Sequence, residues 1–273
     1  MIDFISQKLN FLKAVALATY KEWSAYRTHS LVSVFVGPVY FAVQYFIWTA
    51  VYGGSNSLNG MALQDMIRYF GASALIGYLV MDFADWNLSM LVHTGKFLTF
   101  SLRPLHHRFF ALAQKIGHRI LGFFFEFLPC LVIFVFVFQI DMMPVYPFYT
   151  LLSVLLAFFM TFYVHYCLGL LSFWFVQSSG IRSVFNLVAD IFSGTLIPLV
   201  FFPGWMQFVQ FFLPFQYMNY VPAMIFNGSY TLGGVTMEIP VILCIQFCAV
   251  IVAFLISEIL YRCSVRRFTG VGA

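Results

Sequence analysis

Apolar residues dominate six long stretches of this chain, and shorter segments rich in polar and charged residues separate them. Within each stretch the apolar residues are continuous rather than alternating with polar ones, which favours helices over the strands of a membrane barrel. About 20 such residues are enough for a helix to cross the hydrocarbon core of a bilayer. The pattern predicts an all-α integral membrane protein, a single transmembrane domain over 1–273, with six spans at 31–52, 67–91, 120–138, 148–176, 185–202 and 239–260.

The first 30 residues follow a different pattern, in which apolar residues recur at helical spacing and polar residues fill the positions between them. The apolar positions are Ile5, Leu9, Leu12, Ala16 and Trp23. This pattern predicts an amphipathic helix over 1–30 that lies in the membrane interface. The polar residues 28–30 favour a separate element, although a helix that continues into the first span is the alternative. Charges precede any long apolar run, so a cleavable signal peptide is not expected.

Proline and glycine interrupt two of the predicted spans. Pro38 lies inside the first span and predicts a kink there. Gly194 and Pro198 interrupt the fifth span, and the apolar character continues to 228. An interrupted helix frees backbone groups, which are tolerated at membrane depth only where protein or water satisfies them. The segment 203–228, which holds Pro203 and Pro214, is therefore predicted to form short re-entrant helices on the outer side.

The composition indicates what surrounds the protein, and the distribution of charge indicates its orientation in the membrane. Of the 273 residues, 62% are hydrophobic and 9% charged, and the mean hydropathy is +0.90, so lipid rather than nucleic acid is the expected partner of its surface. Thirteen of the fourteen Lys and Arg residues fall in the N-terminal segment, the loop 93–119, the turn at 177–183 and the C-terminal tail, and the other is Arg68. The excess predicts that both termini and the loop 93–119 are cytoplasmic. The expected location is the plasma membrane of a bacterium.

Several kinds of chemistry have no motif in this sequence. The chain contains no GxxxxGK[ST], HExxH or GxSxG pattern, so it is not expected to hydrolyse nucleotides or to bind a cofactor. No metal site is expected either, since the cysteines show no CxxC spacing and the adjacent His106 and His107 point to different sides of a helix. If this chain transports a molecule across the membrane, it therefore requires either an ion gradient or a separate motor protein.

Acidic residues inside the predicted spans are the candidate buried charges, because an unpaired charge at membrane depth costs several kcal/mol. Asp82 and Asp85 are three residues apart and are expected on one face of the second span, and Glu126 lies within the third. Asp190 and Glu258 occupy the inner parts of the last two spans. These acids either form structural ion pairs, for which His118 and Arg119 are the nearest cations, or contact the substrate directly.

Five features in one order carry a resemblance to a known family. They are the amphipathic helix ending in Tyr26-Arg27, a loop with Gly95 and then residues 102–105 (Leu-Arg-Pro-Leu), residues 192–199 ahead of Pro203, residues 213–215 (Leu-Pro-Phe), and Pro222. The chain resembles the permease subunits of the type-2 export class of ATP-binding-cassette (ABC) transporters. The resemblance covers nearly the whole chain.

The resemblance implies a mechanism and a set of site residues. A permease of this class pairs with an identical or related second permease and with cytosolic ATPases, which bind ATP and Mg²⁺ and drive export of a substrate that is here expected to be amphiphilic. The implied ATPase-coupling residues are Lys96, Phe97, Leu98, Phe100, Leu102, Arg103, Pro104, Leu105 and His107. The implied external gate consists of Gly194, Pro198, Pro203 and Pro214.

Three alternatives remain open on the sequence alone. The loop 93–119 has the composition of a segment that contacts anionic lipid. A gradient-driven secondary transporter that uses Asp82, Asp85 and Glu126 is a second reading of the buried charges. A membrane enzyme that acts on lipid is a third.

Overall fold

The computed structural model describes residues 2–24, 33–102, 106–175 and 179–267, and these residues are mostly helical. The longer helices are α1 (Ile2–Ser24), α2 (Val36–Tyr52), α3 (Leu63–Val80), α4 (Ala84–His93), α5 (Lys96–Ser101), α6 (His107–Gly122), α7 (Leu128–Phe136), α8 (Pro147–Leu170), α9 (Ser179–Phe192), α10 (Gly204–Gln210), α11 (Tyr220–Asn227) and α12 (Ile239–Arg267). A π-helical segment, Phe123–Phe127, joins α6 to α7, and three 3₁₀ turns lie at Leu171–Phe173, Leu199–Phe201 and Phe215–Tyr217.

Four helical stretches of the described residues are long and apolar enough to cross a membrane: Leu63–His93, His107–Phe136, Pro147–Phe173 and Ile239–Arg267. They coincide with the second, third, fourth and sixth predicted spans. The helix of the third span begins at His107, well before the predicted start at 120. Residues at four-residue spacing from His107 to Arg119 are buried, so this part of the basic segment packs as a helix instead of forming a loop.

The centre of the fold is formed by α3, α8 and α11. Helix α8 packs against α12 and α4, while α3 packs against α2 and α11. Tyr69 of α3 and Tyr220 of α11 are fully buried, with ring centroids 6.0 Å apart. All residues from Tyr220 to Phe226 are buried, so α11 belongs to the core although it is short.

The second predicted span is not one continuous helix, because the chain breaks between α3 and α4. Met81 has an extended ψ of 140°, and Oδ1 of Asp82 accepts a hydrogen bond from the backbone N–H of Ala84 at 2.6 Å. This side chain satisfies one of the free N–H groups at the start of α4. The break corrects the expectation that Asp82 and Asp85 lie on one face of a single helix.

Proline residues have different effects at two positions. Pro38 lies in the first turn of α2, where its missing N–H leaves no bond unmade, so the kink expected there inside a longer helix is not seen. Pro129 is the second residue of α7, which follows the π-helical segment directly. A proline within a helix cannot donate to the preceding turn and clashes with the carbonyl four residues earlier, which accounts for the local π geometry.

The molecule has two distinct ends. Two β-hairpins, β1 (Ser57–Leu58) with β2 (Met61–Ala62) and β3 (Thr231–Leu232) with β4 (Val235–Thr236), mark what we call the hairpin end. The opposite end holds α5, the start of α6 and the end of α12, and we call it the basic end. Helix α1 lies against α6, with Phe11 stacked on Phe109 at 6.0 Å between ring centroids.

Candidate functional site

The short helix α5 divides the predicted coupling residues into two groups. Phe97 and Phe100 are buried, and the ring of Phe97 lies 4.9 Å from that of Phe173. Lys96 is exposed, Leu98 is 53% exposed and Leu102 is 81% exposed. The buried rings hold the helix against the protein, while Leu98 and Leu102 present apolar side chains to the solvent beside Lys96 at the basic end.

The structure corrects the expected position of His107. His107 is buried, with Nδ1 3.2 Å from the Tyr166 hydroxyl and its ring 4.7 Å from that of Phe100. Phe97, Phe100 and His107 therefore anchor α5 and are not surface contacts. Arg103, Pro104 and Leu105 lie outside the described residues.

Ion pairs connect the start of α6 to α12 behind this anchor. Arg108 lies 2.9 Å from Glu258, and Glu258 also pairs with Arg262 at 2.7 Å. Partial burial lowers the pKa of the His106 imidazole, and this effect exceeds the opposite influence of Glu258. His106 is thus mainly neutral near pH 7, so the two arginines carry the positive charge of this cluster.

A buried ion pair joins α6 to the break between α3 and α4. Nζ of Lys115 lies 2.9 Å from Oδ2 of Asp82 and donates to the carbonyl of Phe158 at 2.8 Å. Both charged side chains are almost inaccessible to solvent, with 2% and 1% exposure. A pair this deeply buried fixes the break in place, since neither charge has an alternative partner in water.

The other two predicted acids pair separately. Asp85 lies 2.8 Å from Arg182 of α9 and 3.4 Å from His165 of α8. Glu126 accepts a hydrogen bond from Ser33 at 2.8 Å and lies 3.6 Å from Arg119. The expected proximity of Arg119 to the buried acids thus holds for Glu126. Asp85 pairs instead with cations on two other helices.

Two cavities meet at the break. The larger, about 550 Å³, lies between α1, α4 and α6, and the smaller, about 340 Å³, lies between α3, α8 and α9. Both are lined by Met81, Asp82, Phe83 and Arg182. Together they lead from the amphipathic helix at the basic end into the centre of the helical bundle.

The inner cavity ends at the interruption after α9. Gly194 has a φ of 79°, and a Cβ there would lie 2.6 Å from the Tyr69 hydroxyl, which donates to the Gly194 carbonyl at 2.7 Å. Tyr40 donates to the Thr195 carbonyl, and Gln44 donates to that of Leu196 at 3.3 Å. Buried and partly buried side chains thus satisfy the backbone freed by the interruption, as membrane depth requires.

The prolines of the predicted gate share one structural role. Pro198 precedes the turn Leu199–Phe201, Pro203 precedes α10, and Pro214 precedes the turn Phe215–Tyr217. Proline is suited to the position before a helix because no hydrogen bond requires its missing N–H. The segment from Gly194 to Asn227 is therefore a series of short helices that turn back toward the core.

Sequence reasoning missed the polar face of α9. Arg182, Asn186 and Asp190 are spaced by four residues and all line the inner cavity. The four-residue spacing is a signal that the sequence contains. The sequence predicts a turn at 177–183, however, whereas the structure begins α9 at Ser179. Among the described residues, no group of three or more His, Cys, Asp or Glu side chains is arranged to hold a metal ion.

Long apolar helices, buried ion pairs and an interrupted helix closed by tyrosines define a helical transmembrane protein with an internal polar cavity. Comparison with known families shows that residues 39–272 match the ABC-2 family transporter proteins. The chain belongs to this family and is a transmembrane subunit of a transporter, which confirms the resemblance drawn from the sequence. No curated protein and no solved structure matches the chain.

Proposed function

We propose that this chain is the membrane subunit of an ATP-driven exporter, which dimerises with an identical or related permease and couples to separate cytosolic ATPases. ATP and Mg²⁺ then bind to the ATPase and not to this chain. Membership of the ABC-2 transporter family supports the proposal. The observation that carries it is the construction of α5, whose inner side is buried and whose outer side exposes Leu98 and, directly after the helix, Leu102 among polar residues.

The exposed face of α5 is suited to a protein partner. Leu98 and Leu102 are large apolar side chains beside the cation Lys96. Apolar anchors at the centre of a contact with polar residues around them are typical of protein interfaces. The buried Phe97 and Phe100 make α5 move as one body with the helices behind it, as transmission of force from an ATPase requires.

A continuous path of contacts leads from α5 to the predicted gate. Helix α5 follows α4 directly, and α4 begins at the break that borders both cavities. Beyond the break, α3 carries Tyr69, whose hydroxyl bonds to Gly194. Movement of α5 with the ATPase would shift α4 against α3 and alter access to the inner cavity. Such coupling requires that α5 contacts differ between the two states of the ATPase.

The membrane arrangement in this proposal has six spans. Helices α2 and α9 supply the first and fifth spans, in addition to the four long helical stretches. The basic end is cytoplasmic and the hairpin end is external, since positive charge accumulates on the cytoplasmic side. Residues 203–228 are then re-entrant helices behind the external gate, which is formed by Gly194, Pro198, Pro203 and Pro214.

The ion pairs weigh against the gradient-driven carrier. Asp82, Asp85 and Glu126 each lie beside at least one cationic side chain. An acid that carries protons across a membrane has to exchange its proton during each cycle, and a close cation opposes protonation. Structural pairing therefore accounts for these three acids better than proton coupling does.

The proposal is tested by the double substitution Leu98→Ala with Leu102→Ala. The permease is co-expressed with the ATPase encoded beside its gene, and co-purification and permease-stimulated ATP hydrolysis are measured. We expect the variant to insert and fold normally but to lose stimulation by about tenfold or more, as for truncated interface anchors. Met143→Ala, an exposed apolar residue at the hairpin end, is the matched control.

Two outcomes would contradict the assignment. Unchanged co-purification and stimulation in the double variant would show that α5 does not bind the ATPase. A loss of binding to anionic vesicles with intact ATPase coupling would assign the basic end to lipid contact instead.

A further inference from the structure

A third cavity differs in character from the two at the break. Its volume is about 590 Å³, and it lies between residues 160–171, residues 245–260 of α12 and the segment that follows α10. We call it the α8–α12 groove. Among the described residues that line it, none is charged, and the only hydroxyl groups are those of Tyr163 and Tyr217. Such a space offers water almost no hydrogen-bond partners, so an apolar occupant suits it.

The groove is long and follows the direction of the helices. Its lining residues on α12 extend from 245 to 260 and recur at helical spacing, so they share one face of the helix. At a rise of 1.5 Å per residue, this stretch is about 22 Å long. One leaflet accounts for about half of the ~30 Å hydrocarbon core of a bilayer, so an upright acyl chain fits along the groove.

The groove opens to the outside of the helical bundle. Ala249 and Ala253 contribute small, partly buried side chains on α12, whereas Val252 and Ile256 are 53% and 47% exposed. Both α8 and α12 belong to stretches long and apolar enough to cross a membrane. An opening along such helices faces lipid chains rather than water. An acyl chain can therefore enter the groove directly from the bilayer.

The end of the groove near Ile245 has its polar groups bonded within the protein. The Tyr217 hydroxyl donates to the Phe211 carbonyl at 3.0 Å, and Gln246 donates to the Tyr217 carbonyl at 3.0 Å. Tyr217 thus keeps its hydroxyl proton and its carbonyl oxygen for partners inside the fold. This end suits the terminal methyl group of a chain and not a headgroup.

The opposite end of the groove, near Leu260, leads to positive charge. Arg267 follows Leu260 by seven residues, which is about two helical turns and returns it to the same face of α12. Arg266 is its neighbour, and both arginines are exposed. Arginines at the end of an apolar surface match a lipid whose chain covers that surface and whose anionic headgroup lies at the membrane boundary.

We infer that the α8–α12 groove binds an anionic phospholipid from the leaflet at the basic end, with one acyl chain in the groove and the phosphate beside Arg266 and Arg267. The inference does not depend on export driven by ATP. The groove shares no lining residue with the two cavities at the break, so this lipid is a bound component of the membrane domain and not the transported molecule.

Native mass spectrometry of the purified full chain tests the inference, after incubation with phosphatidylglycerol or with phosphatidylcholine of identical acyl chains. We expect the wild type to retain the anionic phosphatidylglycerol preferentially. Ala253→Phe places a ring in the groove and should weaken retention about tenfold, since lost contact with two methylene groups corresponds to about that factor. Ala50→Phe, at an exposed position of α2, is the matched control and should retain lipid as the wild type does.

A second variant tests the headgroup and leaves the groove intact. Arg266→Gln with Arg267→Gln should retain phosphatidylglycerol and phosphatidylcholine equally. Unchanged retention by Ala253→Phe, or equal retention of the two lipids by the wild type, would overturn the inference. Loss of the dimer mass in Ala253→Phe with unchanged lipid retention would also overturn it and assign the groove to the second permease. The assay omits the ATPase, so its result and that of the coupling experiment at α5 are independent.

Discussion

The pair formed by Lys115 and Asp82 places two opposite charges in the interior of the protein. Besides the ion pair, Nζ of Lys115 bonds to the Phe158 carbonyl and lies 4.2 Å from the centre of the Phe158 ring. Oδ1 of Asp82 meanwhile satisfies the N–H of Ala84. Desolvating two charges offsets much of their attraction, so the pair contributes little net stability, but breaking it leaves one charge unpaired.

Removing the charge of one partner should therefore destabilise the protein strongly. Replacing both partners together should destabilise it less. Asp82→Asn keeps an oxygen for the Ala84 N–H but leaves Lys115 unpaired, and we expect it to lower the free energy of unfolding by about 3–5 kcal/mol. Adding Lys115→Met should restore a large part of that loss. Denaturant unfolding in detergent micelles measures both, with Asp141→Asn as the exposed control. A double variant less stable than Asp82→Asn alone would contradict this account.

At this scale the sequence identified the charged residues but not all their partners. Asp82, Asp85 and Glu126 stand out because charge is rare within apolar stretches. The pairing of Asp85 with Arg182 and His165 joins three helices. Such a pairing depends on how helices rotate and pack, which residue spacing within one helix does not specify.

Between elements, the contact of α1 with α6 depends on a close backbone approach. A Cβ at Gly117 would lie 2.8 Å from Cα of Ala16 and 2.9 Å from its carbonyl carbon. Small residues allow helix backbones to approach in this way. The contact holds the amphipathic helix against α6, beside the larger of the two cavities.

The substitution Gly117→Ala should separate these two helices. Backbone atoms cannot yield as a flexible side chain does, so we expect the free energy of unfolding to fall by about 1–3 kcal/mol, as for other overpacked sites. Gly180→Ala is the matched control, since no atom lies within 4 Å of a Cβ built there. Equal stability of the two variants in the same denaturant assay would show that α1 is not packed against α6 in solution.

The sequence predicted that short helices would form, but not which of their residues would be buried. Proline and glycine spacing indicated short helices after the fifth stretch, and the structure has α10, α11 and two 3₁₀ turns there. The sequence also suggested α5 as a docking element. It did not distinguish the buried Phe97 and Phe100 from the exposed Leu98, because all three are large apolar residues within four positions.

For the molecule as a whole, the two ends differ in charge. Arg68 is the only Lys or Arg near the hairpin end within the described residues, where it donates to the Met143 carbonyl at 2.6 Å. The basic end holds Lys96, Arg108 and the arginines of α12. This asymmetry is the physical basis for the proposed orientation.

Labelling from one side of the membrane tests that orientation. In a variant with its cysteines replaced by alanine, Met143→Cys should react with a membrane-impermeant maleimide on intact cells, because Met143 is exposed at the hairpin end. Leu102→Cys at the basic end should react only after permeabilisation. The cysteine-free parent is the control, and the reverse labelling pattern would place the hairpin end in the cytoplasm.

The sequence by itself determined that this is a helical membrane protein, where its long apolar helices lie and which permease family it resembles. Those features follow from local composition and spacing, which act through the hydrophobic effect and backbone hydrogen bonding. Only the tertiary structure decided which acids are paired and which side of α5 is exposed. It also decided that Asn186 and Asp190 of α9 line a cavity. These depend on contacts between helices far apart in the chain, and no local pattern encodes the rotation of one helix against another.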